Sequence, residues 1–410
     1  MDESVAATST ATIARMRSSH TLAGALMAAG FFLGASALPA DAAPIVPTSD
    51  DEVVEVLPAT STSRKETQRL RRQLAARPDD AKLALAVATR YLAQAHELGD
   101  PRFAGLAMAA LRAWPDPAAM PSDLLLMKAT LQQYLHEFDA SVSTLRQLLA
   151  RPEGDSHSQA WLTLATVLRV QGRYADSDVA CRGLESRQPS VYARACRAEN
   201  DALRGEVAAA RQSFRELLAD ASLPSSTRTW MTTSLAELEE RDGRAAAADA
   251  AYRKVLTMGA DTYAAIAYAD FLIEQRRPAD ALRVLERLKP SDAVVLRRAI
   301  VESIGAGGNA VQGRSRSAAE MRERIALANE RPGARLFHGR EQAMFALVVD
   351  RSPELAWQLA QGNVARQREP LDLLVLAQAA RATGRADAIE AARRLKASVG
   401  LHDRRIDALL

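Results

Sequence analysis

Small and apolar residues recur along the chain with a period in the mid-thirties. Counted from a set of turn positions, alanine usually stands seven residues before the turn, and a small residue stands five residues after it. Larger apolar residues follow nine and twelve residues after the turn, and this spacing of three places them on one face of a helix. The turn positions are Gly99, His136, Gly172, Gly205, Gly243, Arg276, Arg351 and Gly384.

A repeat of this length without strand-type alternation predicts helical hairpins stacked in chain order. Small residues on both sides of each turn let two antiparallel helices approach closely. Glycine at the turn suits the left-handed backbone with which many helices end. We therefore expect an all-α fold, an α-solenoid of stacked antiparallel helical hairpins.

One unit carries a resemblance to a known family. Residues 160–165 (Ala-Trp-Leu-Thr-Leu-Ala), then Gln171-Gly172-Arg173-Tyr174 and Pro189, resemble a tetratricopeptide repeat, and seven further units match that pattern more loosely. The resemblance implies a right-handed superhelix whose first helices line a concave groove for a peptide or a partner helix. It also implies an adaptor function without catalysis, because this family serves mainly in protein binding.

The quality of the repeat divides the chain into an array at 67–290, a break at 291–335 and further repeats with a capping helix at 336–410. The break holds a ninth, degenerate unit and the glycine-rich stretch from Gly305 to Gly308, which interrupts the pattern. We expect this stretch to be flexible.

The N-terminal residues have the order of a secretory signal peptide. Arg15 and Arg17 precede an apolar run over 22–38, and Ala40-Asp41-Ala42 supplies a small-x-small cleavage pattern. We expect a signal peptide at 1–42, a flexible lead-in at 43–66 and a periplasmic protein without a stable membrane span. The alternative is an uncleaved anchor helix that tethers the protein to the membrane.

Composition and motifs narrow the function classes. The 53 Lys and Arg nearly balance the 50 Asp and Glu, which argues against nucleic-acid binding. The six histidines never pair at metal-ligand spacing, and no phosphate loop or serine nucleophile elbow occurs. We therefore expect no cofactor, no metal and no catalytic residue.

Two further columns suggest a binding surface. Aromatic residues stand thirteen before the turn in three consecutive units, and carboxylates stand six before it, two helical turns further along the same face. The residues are Tyr192, Trp230 and Tyr263 with Glu199, Glu237 and Asp270. Since the resemblance places this face on the groove wall, we expect a protein or peptide partner, with a preference for a basic segment. Alternatively, the aromatics cap hairpin junctions and the acids are solvated.

The two cysteines leave two interpretations open. Cys181 occupies a large apolar column and could be a small buried hydrophobe, or it could form a disulfide with Cys196 in the next unit. By analogy with exported repeat proteins, the expected role is a scaffold in assembly of an envelope or secretion complex. The alternatives are an enzyme acting on a polymer in the groove, marked by paired carboxylates facing one another, and a fragment that works with a separately encoded catalytic partner.

Overall fold

The structure, a computed structural model, describes residues 62–152, 154–185, 190–259, 262–305, 315–330 and 339–410. These residues form 20 helices and no strand. The predicted signal peptide lies outside the described residues, as does the lead-in up to residue 61. Helix α1 (Thr62–Ala76) includes the last five residues of the predicted lead-in. In the described part of the chain, no helix combines the length and the apolar character that crossing a membrane requires.

Among the described residues, nine hairpins follow α1, and a short helix comes after the ninth. Their bounds are α2 (Ala81–Leu98) with α3 (Arg102–Ala110), α4 (Ser122–Tyr134) with α5 (Phe138–Leu149), α6 (Ser156–Val170) with α7 (Tyr174–Glu185), α8 (Val191–Arg204) with α9 (Val207–Leu218), α10 (Ser225–Arg241) with α11 (Ala245–Thr257), α12 (Thr262–Glu274) with α13 (Pro278–Leu285), α14 (Asp292–Gly305) with α15 (Arg316–Asn329), α16 (Gly339–Val348) with α17 (Pro353–Val364), α18 (Pro370–Thr383) with α19 (Ala386–Val399), and finally α20 (Arg404–Leu409).

The hairpins stack in chain order. Each first helix packs against its own second helix and against the first helix of the next hairpin, from α2 through α18. The alanines seven residues before the turns are buried, as are all the small residues five after them; Ile389, the large residue at this position of the last unit, is half-buried. Ser141 and Ser177, in the second of these columns, each donate a hydrogen bond of 2.8 Å to the carbonyl oxygen of the facing alanine, Ala129 or Ala165. The prediction of an all-α solenoid of stacked hairpins is therefore confirmed.

Every one of the eight turn positions has a left-handed backbone. Their φ angles run from 52° at Arg351 to 98° at Gly205. His136, Arg276 and Arg351 are the non-glycine residues with positive φ among the described residues, and all three are turn positions. The period in the sequence thus locates the points where each first helix must end and the chain must reverse.

The segment predicted as a break contains a hairpin. Its first helix, α14, packs against both α12 and α16, so the stacking of first helices passes through it. Residues 306–314 and 331–338, which include most of the glycine-rich stretch, lie outside the described residues.

The C-terminal hairpins contact hairpins that lie much earlier in the chain. The backbone N–H of Arg368 donates to the carbonyl of Val170 at 2.6 Å, and that of His402 donates to the carbonyl of Leu203 at 2.7 Å. Arg405 forms ion pairs with Glu240 and, at 3.2 Å, with Glu274. We call residues 399–410 the C-terminal tail. The array is therefore closed on itself by contacts that join residues some 130 to 200 positions apart.

The C-terminal tail crosses the turns of three earlier hairpins. Val399 faces the turn at Gly172, His402 faces Gly205, and Arg404 faces Gly243. Ile406 of α20 is fully buried in a cluster with α18 and α19. The apolar residues of the tail thus pack within their own chain.

Candidate functional site

A groove of about 790 Å³ runs along the inner wall of the array. The first helices α6, α8, α10 and α12 supply most of its lining, and Glu369 and Pro370 at the start of α18 border it from the returning C-terminal hairpins. Consecutive first helices pack side by side, so residues from several of them line one continuous groove.

The three predicted aromatic residues all line the groove. The rings of Tyr192 and Trp230 stack with centroids 6.3 Å apart and planes 15° apart. The Tyr192 hydroxyl lies 3.2 Å from the hydroxyl of Thr227, which fixes the ring at its outer end. Tyr263 is 62% exposed, the most open of the exposed large apolar side chains among the described residues. Together they offer a rigid aromatic surface to a ligand.

Glu199 also lines the groove, but its carboxylate is already held by side chains from two neighbouring helices, α6 and α10. It accepts hydrogen bonds from the indole N–H of Trp230 at 2.9 Å and from the Ser234 hydroxyl at 2.7 Å. Arg169 of α6 approaches its other oxygen to 2.6 Å. These contacts neutralise the charge that was expected to attract a basic partner.

Glu237 is the groove carboxylate with the least compensation. It accepts a hydrogen bond of 2.6 Å from the Tyr263 hydroxyl, and Arg241 lies 3.9 Å away. Burial in the groove wall raises the pKa of Glu237 to about 7, while Arg241 and the Tyr263 hydrogen bond act in the opposite direction. Near neutral pH this carboxyl is therefore only partly ionised.

Asp270 is the one predicted residue that does not line the groove. Arg297 of α14 donates to both of its oxygens, at 2.9 and 2.8 Å, and both side chains are largely buried. The expected row of three groove carboxylates thus has two members, because the third is consumed in an ion pair between neighbouring helices.

A common geometry explains the aromatic and acidic columns. Each carboxylate receives a hydrogen-bond donor from the first helix of the next unit, and the donors to Glu199, Glu237 and Asp270 are Trp230, Tyr263 and Arg297. The two columns therefore interlock between units, which differs both from a free acidic row and from solvated acids.

Sequence patterns did not single out two arginines and a set of hydroxyls that also line the groove. Arg169 and Arg241 belong to no repeated column. In α10, seven of the ten residues from Ser225 to Ser234 are Ser or Thr. Because these residues favour helix interiors poorly, their density could have marked α10 as a helix with a role beyond packing.

Cys181 and Cys196 are joined in a disulfide, with their Cα atoms 5.8 Å apart. Both side chains are fully buried, and the bond links the second helix α7 to the first helix of the next hairpin, α8. It therefore fixes α8, which carries groove residues, to the preceding hairpin. Within the described residues, no group of three His, Cys, Asp or Glu side chains is placed to hold a metal ion.

No protein-family model and no curated protein matches the sequence. Among solved structures, a tetratricopeptide repeat protein from Parabacteroides merdae is similar with a TM-score of 0.41 and 14% identity, over 72% of this chain and 99% of that chain. The stacked-hairpin fold stated above follows from the contacts of this chain's own helices.

Proposed function

We propose that the chain is a tetratricopeptide-like scaffold, without catalytic activity, that binds a protein or peptide segment in its groove. The observation that carries this proposal is the aromatic wall of Tyr192, Trp230 and Tyr263 along a concave channel. Stacked and exposed aromatics give a ligand a large contact area at a small entropic cost, because the protein's rings are already held in place.

The hydroxyl-bearing face of α10 suits an extended peptide. Ser226, Thr229 and Thr233 line the groove beside Trp230 and can donate to or accept from a peptide backbone. A groove that combines an apolar surface with a few polar groups is typical of ligand sites of this size.

The leader pattern at 1–42 and the buried disulfide together support export to the periplasm, since disulfides persist in oxidising compartments. In that compartment the scaffold would serve assembly of an envelope or secretion complex. Fractionation of cells that express the full chain tests this proposal. A soluble periplasmic product whose N-terminus lies near residue 43 is expected, whereas an intact N-terminus in the membrane fraction would indicate the tethered form.

Site-specific photocross-linking tests the groove. A benzoylphenylalanine at position 263 replaces one exposed aromatic by another and should give defined protein adducts in the host envelope. A probe at Val179, which is 53% exposed on the second helix α7, is the matched control outside the groove lining. Adducts at 263 that disappear in the W230A background support the proposal. Equal adducts at both positions, or adducts unaffected by W230A, would refute it.

A further inference from the structure

Arg241 is a buried charge at the groove whose pairing is incomplete. It is the last residue of α10, lines the groove and has a side chain that is 9% exposed. Its Nε atom has no hydrogen-bond partner among the described residues, and the nearest ion-pair contact is Glu237 at 3.9 Å. The buried hydroxyl of Tyr174, close enough to feel the charge of Arg241, has no partner in the described part of the chain either.

Three other largely buried arginines among the described residues are paired closely. Arg297 donates to both oxygens of Asp270, Arg211 donates to Glu239 and Asp242, and Arg169 lies 2.6 Å from Glu199. An incompletely paired guanidinium is costly to bury, because water is removed and no close anion replaces it. Arg241 therefore differs from the arginines that hold the helices together.

The charges around the groove do not supply the missing anion. Glu199 is neutralised by Arg169, and Glu369 pairs with Arg340 at 2.9 Å. Glu237 is only partly ionised near neutral pH, since burial raises its pKa to about 7. The positive charge of Arg241 thus faces the groove with weak compensation.

We propose that Arg241 binds the side-chain carboxylate of an Asp or Glu in the peptide that occupies the groove. This inference rests on the proposed function and gives the partner a charge opposite to the one expected from the acidic column. The guanidinium is suited to the task, because its planar set of N–H donors matches a carboxylate in a two-point contact.

Selection from a random peptide library, carried out on the full chain, tests the inference. The peptides are displayed through their C-termini, so that a selected carboxylate can only come from a side chain. Wild type should enrich Asp or Glu at one position, and R241Q should lose that enrichment. A synthetic form of the selected peptide with an amidated C-terminus should bind R241Q about 10 to 100 times more weakly than wild type.

A cycle of substitutions isolates the contact. Changing the selected acid to its amide should weaken binding to wild type by the same factor and leave binding to R241Q unchanged. R241K keeps a charge but lacks the planar set of donors, so it should bind the acidic peptide with intermediate affinity. It also replaces R241Q in this test if R241Q fails to fold. E237Q should bind the acidic peptide at least as tightly as wild type, because it removes a competing negative charge.

The outcomes separate this inference from the proposed function. Selected peptides that are basic or show no charge preference, or an acidic peptide that binds wild type and R241Q equally, overturn the role of Arg241 while leaving groove binding intact. Failure to select any peptide on wild type beyond the level of folded W230A would overturn both.

Discussion

At the scale of single residues, the molecule contains buried charges of two kinds. Arg297 and Asp270 satisfy one another across α14 and α12, and their side chains are 3% and 14% exposed. Arg241 has no comparable partner. The paired charges stabilise the packing of the helices. Substituting them should therefore lower stability, which distinguishes them from Arg241.

We expect R297L to lower the free energy of unfolding by about 3 to 5 kcal/mol, because it leaves Asp270 as a buried and unpaired carboxylate. The double variant D270L/R297L should recover much of that loss, since neither charge remains. Urea denaturation followed by circular dichroism measures both. A double variant that is as unstable as the single one would show that packing, rather than the unpaired charge, causes the loss.

Glu237 should make stability depend on pH. Burial raises its pKa from the usual value of 4.5 to about 7, so the folded state holds its proton more tightly than the unfolded state. Its contribution to the free energy of unfolding therefore falls as pH rises from about 4.5 to 7.

Between pH 5 and pH 8, wild type should lose about 1 to 2 kcal/mol more than E237Q, which cannot titrate at this position. In Y263F the carboxyl loses a hydrogen bond from a hydroxyl, and its pKa should rise further, as carbon-13 NMR of the Glu237 side chain can measure. Parallel pH profiles for wild type and E237Q would contradict the assignment.

At the scale of helices, the repeat period predicted where the helices end and which of their residues reach the groove. It located the eight left-handed turns, three of them at His136, Arg276 and Arg351, because each helix pair must reverse at the same phase. It also brought five of the six proposed site residues to the groove. The spacing of residues within one unit is sufficient to predict these positions, since each helix packs on its neighbours in the chain.

The pairing of side chains between helices could not be predicted from the same pattern. Trp230 donates a hydrogen bond to Glu199, 31 residues away, from the first helix of the next hairpin. This contact depends on how far one helix is shifted along the other. Arg241 belongs to no column, and the role proposed for it depends on its burial, its incomplete pairing and its place in the groove. Asp270 fits its column but is removed from the groove by Arg297, a residue that the pattern did not mark.

The Cys181–Cys196 bond should stabilise the junction of α7 and α8. It closes a loop with a sequence separation of 15, for which restriction of the unfolded chain corresponds to about 3 kcal/mol. C181A/C196A should therefore unfold at lower urea concentration, by about 2 to 4 kcal/mol. Dithiothreitol should lower the stability of wild type to a similar degree and leave the double variant unchanged. Two reactive thiols in the unreduced native protein would contradict the bond.

At the scale of the whole molecule, the contact between distant hairpins distinguishes Gly172 from Gly384. Both have left-handed backbones, with φ of 72° and 69°. A methyl group at Gly172 would lie 3.1 Å from Val399 and 3.2 Å from Arg368, whereas one at Gly384 would meet nothing within 4 Å.

G384A should cost about 1 kcal/mol from backbone strain, and G172A should cost about 1 to 3 kcal/mol more, because it also forces the C-terminal hairpins away. Denaturant unfolding compares the two, and hydrogen exchange should show faster exchange at Arg368 and in the C-terminal tail of G172A only. Equal losses in both variants would show that strain alone matters.

The return of the C-terminal tail also changes how the molecule should fold. In an open repeat array each unit contacts only its neighbours, and stability grows as a sum of local terms. Here Leu203 and Glu240 contact residues more than 160 positions further along the chain, His402 and Arg405. Contacts of such high sequence separation slow folding and couple the C-terminal tail to hairpins in the middle of the chain. A variant truncated before the C-terminal tail should therefore unfold in a broader, less cooperative transition than the full array.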